Sequence, residues 1–218
     1  LQYFSAGTGH GCHPGTGFRA EVLDDHLLDV AVAAVEIGDH LERILPVLLE
    51  TAQLIQQNLD QVQFVIAKST QVDWSLYNRA SGNANLDLIT IEGKTYDCLN
   101  IADFCLVASG TATLETAIME KPFVVIYKTS LLNYLLYRPQ VKIPCIGIAN
   151  IVAQKIIAPE FIQFRANPQE IASKTLEILR DPSRLSQMKQ DLAQVKTSLG
   201  AKGASARAAR IILNFLNK

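Results

Sequence analysis

Phe104-Cys105-Leu106-Val107-Ala108-Ser109-Gly110-Thr111-Ala112-Thr113-Leu114-Glu115 decides the fold, together with its continuation through Lys121-Pro122 to Phe123-Val124-Val125-Ile126-Tyr127. Phe104 to Val107 is a short apolar run of the kind that forms a strand buried on both faces. Ser109-Gly110-Thr111 supplies hydroxyls and a flexible backbone where the chain must turn. Ala112 to Glu120 is rich in helix formers, with Ala112, Leu114, Ala117 and Ile118 at roughly helical spacing. Lys121-Pro122 ends that helix, and Phe123 to Tyr127 reads as a second buried strand.

A strand, a hydroxyl-bearing turn and a helix start make a place for an anion, because unpaired N–H groups and the helix dipole point beyond the turn. Ser109 and Thr111 are candidate donors, Gly110 allows close approach, and Glu115 lies one turn further on, where its carboxylate suits sugar hydroxyls. A second reading is equally physical: Ser109 or Thr111 simply N-caps a buried helix.

The rest of the chain supports an alternating pattern. Val30 to Val35 reads as a first strand and Gly38-Asp39-His40 as a turn. Leu41 to Asn58 is an amphipathic helix with Ile44, Leu45, Leu48, Leu49, Ala52 and Ile55 on one side, and Pro46 fits it best near a first turn. Val62 to Ala67 and Leu86 to Ile91 are further strands, with short helices over Trp74 to Ala80 and Tyr96 to Ala102. Leu131 to Tyr137 is a helical apolar patch, whose residues belong either to the core or to a partner or membrane surface. Ile143 to Asn150 reads as a strand or extended turn, Ile151 to Ile157 as helical, and Asn150 as the cap between them or as a ligand group. Asn167-Pro168 and Asp181-Pro182 open two helices, and Ser205 to Leu216 forms the last. This is an α/β protein: a Rossmann-like parallel sheet with helices on both faces, ending in a group of helices. Residues 1–28, rich in glycine, form an irregular lead-in, and 29–218 form the domain.

Composition narrows function. An apolar fraction of 49% with 19% charged residues gives a proper core. A net charge of -1 provides no field for nucleic acid. No run of about 18 apolar residues is available to span a membrane. The start at Leu1 suggests a fragment, with no signal-peptide pattern ahead of the fold. Cys12 lies between His10 and His13, but so few ligands in a Gly-rich loop fall short of a metal knuckle; no metal and no cofactor are expected. Cys98, Cys105 and Cys145 fit a reducing, intracellular compartment.

Ala108 to Glu115, Lys121 to Lys128, Ile148-Ala149-Asn150-Ile151-Val152, Pro159-Glu160-Phe161-Ile162-Gln163 and Gly203-Ala204-Ser205 occur in the order and spacing of one family. Over roughly residues 41–217 the chain resembles the carboxyl-terminal half of the lipid-A-disaccharide synthases. The resemblance implies one half of a two-Rossmann-domain (GT-B) hexosyltransferase. That enzyme transfers 2,3-diacylglucosamine from its UDP donor to 2,3-diacylglucosamine 1-phosphate, releasing UDP, in lipid A biosynthesis. It implies UDP-donor contacts by Ser109, Gly110, Thr111, Glu115, Asn150 and Gln163, and leaves the catalytic group unassigned. A cytoplasmic place, peripheral contact with the inner face of the bacterial membrane and a homodimer are further expectations. The chain also departs from the family: Ala34, Val35, Glu36 and Ile37 stand where it has Pro-Gly-Ser-Arg, which removes an arginine from the donor phosphates and sets Glu36 nearby. The acceptor-binding domain is missing, so transfer by the chain alone is not expected. The alternatives are a non-catalytic UDP-binding module and an interaction scaffold.

Overall fold

The computed structural model describes residues 28–33, 39–73, 75, 77, 86, 88–140, 143–201 and 203–216. His10, Cys12 and His13, the departure at 34–37 and nearly all of the helix expected over 74–80 lie outside these residues. In chain order the elements are β1 (Leu28–Ala33), α1 (Asp39–Gln56), β2 (Val62–Lys68), β3 (Leu88–Glu92), α2 (Thr95–Ile101), β4 (Phe104–Ala108), α3 (Thr111–Ile118) and β5 (Phe123–Tyr127). They are followed by α4 (Leu131–Tyr137), α5 (Ile148–Ala153), β6 (Glu160–Ile162), a 3-10 turn over Gln163–Arg165, α6 (Pro168–Leu179), α7 (Pro182–Ser198) and α8 (Ala204–Leu216).

The six strands form one sheet in the order β3-β2-β1-β4-β5-β6. Every pairing is parallel, with Ala33 beside Val107, Ala108 beside Ile126 and Tyr127 beside Ile162. Parallel strands need crossovers, and the helices that provide them cover both faces, which is why β2 and β4 are apolar nearly throughout. Alternation along β2 separates the two faces. Phe64 and Ile66 join the main core beneath α1, whereas Val65 and Ala67 meet Cys98 and Ile101 of α2.

Helix α1 begins before the expected start, which places Pro46 two turns inside it. An interior proline costs about 3 kcal/mol, yet Ile44, Leu45, Leu48 and Ile55 of this helix are almost wholly buried. At about 1.5–3 kcal/mol for each large apolar side chain, burial outweighs the break. Pro46 itself faces outward.

The two expected elements over 143–157 are corrected. The segment 143–147 is irregular, and the helix is the shorter Ile148–Ala153, closed by Gln154 in the left-handed region at φ 54°. Asn150 is therefore inside a helix and not its cap. The edge strand β6 had no periodic signal, because three residues are too few to show alternation. The caps Asn167 and Asp181 form as expected, accepting from the backbone N–H groups of Glu170 (2.9 Å) and Arg184 (3.1 Å). Helix α6 packs on α1, and α7 packs on α3, α5 and α6. Helix α8 buries none of its residues, and Ile211, Ile212, Leu213, Phe215 and Leu216 stand exposed on it.

Candidate functional site

Between β1 and β4 the strand order reverses direction, and in open parallel sheets ligands bind at the carboxyl ends flanking such a switch point. The chain leaves β4 there through Ser109-Gly110-Thr111. Ser109 is pinned by its backbone, its N–H donating to the Ile126 carbonyl at 2.8 Å. Gly110 then takes φ 145° and ψ -157°, a conformation that side chains resist, and becomes the N-cap of α3. No side chain caps this helix. The capping alternative for Ser109 and Thr111 is thus not what forms. Thr111 is exposed at the first helical position, and the Thr113 N–H closes the turn on the Gly110 carbonyl at 3.2 Å.

Thr113, which sequence reasoning passed over, is the hydroxyl that organises the turn. It is fully buried, its Oγ1 donates to the Gly110 carbonyl at 2.8 Å, and the same atom accepts from the Ile148 N–H at 3.1 Å. The first turn of α5 is thereby tied to the first turn of α3. Glu115 follows half-buried on α3. Beside it lies Tyr96, whose phenol is raised from its usual range by burial first, then by the Glu115 charge and a hydrogen bond with that carboxylate.

Asn150 does not face the turn with a free amide. It is fully buried, and its Nδ2 donates to the Ala158 carbonyl and to Glu160 Oε1, each at 2.7 Å. Its Oδ1 accepts from the N–H groups of Ile157 (2.9 Å) and Ala158 (3.0 Å). Those four contacts use both donors and both acceptor lone pairs of the side chain. Glu160, a second residue missed in sequence, is the hub beneath it: Oε1 also accepts from Gly147 N–H and Oε2 from Ile146 N–H, each at 2.9 Å. A carboxylate inside the quoted Pro159–Gln163 run was the available signal. The same charge, after burial, raises the Cys145 thiol.

Gln163 is also buried and engaged. Held at φ 52°, it directs its amide at the backbone of Thr129, accepting from the N–H at 3.0 Å and donating to the carbonyl at 3.1 Å. The pair locks the exit of β5 to the exit of β6. Of the residues expected at the site, Thr111 is exposed, Gly110 and Glu115 are half-buried and Ser109 is buried, while the amides of Asn150 and Gln163 are engaged in the loops after β5 and before and after β6.

The model of the family described as lipid-A-disaccharide synthetase matches residues 21–215. The chain belongs to that family. It is 39% identical over 194 residues to the lipid-A-disaccharide synthase of Syntrophus aciditrophicus, a match covering 87% of this chain and 51% of that protein. Against the enzyme of Sulfurihydrogenibium sp. it is 37% identical over 185 residues, covering 80% and 48%. The chain thus spans about half the length of the curated relatives it matches. Among solved structures, S. aureus MnaA with UDP aligns at a TM-score of 0.55 and 16% identity, over 99% of this chain and 51% of that one. The UDP-GlcNAc 2-epimerase of Neisseria meningitidis aligns at 0.53 and 15% identity, over 91% and 47%. At such identity these likenesses concern the fold, which is one half of the GT-B architecture.

Proposed function

We propose that this chain is the donor-binding half of a lipid-A-disaccharide synthase and holds the UDP of UDP-2,3-diacylglucosamine at the end of β4. The carrying observation is the start of α3 at the switch point, where Gly110 is the N-cap and no side chain caps the helix, with Glu115 one turn on. The first-turn N–H groups and the Ser109 and Thr111 hydroxyls receive the diphosphate, and the Glu115 carboxylate accepts from the ribose diol. As the acceptor hydroxyl attacks the anomeric carbon, the bond to the phosphate oxygen breaks and negative charge grows on departing UDP. Fixed donors aimed at that charge hold the transition state more tightly than the bound donor. Asn150 and Gln163 contribute by fixing the two neighbouring loops.

On this reading the other substrate is 2,3-diacylglucosamine 1-phosphate, and the chain supplies no assigned base to activate it. Transfer then requires the part of the enzyme that binds the acceptor. No helix among the described residues is long and apolar enough to cross a membrane. Leu131, Leu132, Leu135 and Leu136 stand exposed on α4, which supports peripheral contact with the inner membrane face. The uncovered apolar residues of α8 support a homodimer.

Calorimetric titration with UDP, on the wild type and Glu115→Ala, tests the donor site. Binding by the wild type that falls at least tenfold in the variant is expected. A folded wild-type chain that takes no UDP overturns the reading.

A further inference from the structure

Beside the β4–α3 turn, the carboxyl ends of β5 and β6 open into a cavity of about 340 Å³ closed by α4 and the segment 143–146. Its wall is mostly apolar, with Tyr127, Tyr134, Ile146 and Ile162 among its residues, and also carries the exposed polar side chains Asn133 and Arg138. The wall is continuous with the donor turn on two sides. Tyr127 directly follows Ile126, whose carbonyl receives the Ser109 N–H. Ile146 leads through Gly147 into Ile148, whose N–H reaches Thr113.

Three backbone groups facing this cavity are already taken. Gln163 takes both the N–H and the carbonyl of Thr129, and Glu160 takes the N–H of Ile146. A nucleobase needs such groups free to read its edge, whereas a hydrocarbon chain needs them occupied. The volume decides in the same direction. It lies near the lower end of the range of about 300–1,000 Å³ for small-ligand pockets, enough for one chain and too little for a whole nucleotide sugar. Helix α4 is held against the cavity by the Ser130 cap, which accepts from Asn133 N–H, and by an edge-on contact of Tyr134 with Phe164 at 5.7 Å.

We propose that this cavity receives one acyl chain of the donor sugar, so that the chain recognises lipid and nucleotide at adjoining sites. The assignment rests on the donor reading above. The test is competition calorimetry against UDP with UDP-glucosamine and with a series of its 2,3-diacyl forms. The acyl chains lengthen by one methylene at a time and stay short enough to remain monomeric. Affinity is expected to rise about fourfold per methylene until the cavity is full. Ile146→Trp, which fills the cavity, and Ile143→Trp, at its exposed rim, are each expected to reduce the series to the level of UDP-glucosamine. UDP affinity in both variants stays unchanged, which shows that they are folded. A flat series in a wild type that still binds UDP overturns the cavity assignment and leaves the donor site standing. A chain-length gain that survives both tryptophans also overturns it. No binding of UDP itself refutes the donor reading and the cavity assignment together.

Discussion

Removing the Asn150 side chain tests whether a buried amide holds α5 to the segment leading into β6. In Asn150→Ala the Ala158 N–H and carbonyl lose their partner in a fully buried place, and Glu160 Oε1 loses a charge-assisted donor. The Ile157 N–H is spared in part, since it also reaches the Lys155 carbonyl at 3.1 Å. Each orphaned buried group costs about 1–3 kcal/mol. Partial relaxation and water entry reduce the sum, so a loss of about 3–5 kcal/mol is expected, a large share of a typical stability of about 5–15 kcal/mol. Urea unfolding followed by circular dichroism measures it, with an unchanged slope and a lowered midpoint. Asn150→Asp sharpens the test, since it keeps an acceptor for the two N–H groups but sets a second carboxylate against Glu160. Repulsion and burial raise the introduced carboxyl above its unfolded value. A raised acid stabilises the fold below its unfolded pKa and loses that contribution as pH rises through the folded one. The aspartate variant should therefore regain stability relative to wild type on acidification, and the alanine variant should not. Loss under about 1 kcal/mol in Asn150→Ala, or parallel pH profiles for the two variants, would refute the reasoning.

Two other outcomes follow from the same geometry. A Cβ on Gly147 would lie 3.1 Å from Glu160 Oε1 and 3.2 Å from Val125 Cγ2. Because that oxygen is pinned by two hydrogen bonds, Gly147→Ala should cost about 1–3 kcal/mol in the same unfolding assay; a neutral result would show that the carboxylate moves freely. Burial raises the Cys98 thiol to about 11 and the Cys105 thiol to about 12. In a Cys12→Ser, Cys145→Ser background both should resist a thiol reagent at neutral pH until the chain unfolds, with reaction by the native chain as the contrary result. Their contribution to stability is complete below the unfolded thiol value, about 8.5, and is lost as pH rises from there towards 11.

The strands and helices that were legible in sequence are those whose own residues carry the signal. β4 and β5 are continuous apolar runs, α4 matches its expected bounds, and Asn167 and Asp181 announce α6 and α7 by capping chemistry that needs no distant partner. The β4–α3 turn was legible for the same reason, as a strand, a glycine and a helix start lie consecutively. What sequence could not assign was the direction of polar side chains whose partners are remote. Thr111 and Thr113 look alike in the sequence, yet only Thr113 is buried, because its position in the first turn sets its hydroxyl between Gly110 and Ile148, 35 residues away. Asn150 looked like a cap because a helix was expected to follow it. The burial of Ile157 and Ala158 instead draws its amide across the loop toward β6. Gln163 is a similar case, its left-handed backbone being tolerable because two hydrogen bonds to Thr129, 34 residues away, hold it there. Motif order marked Thr111, Asn150 and Gln163 alike, and it is long-range hydrogen bonding that takes up the amides of Asn150 and Gln163 while Thr111 stays exposed.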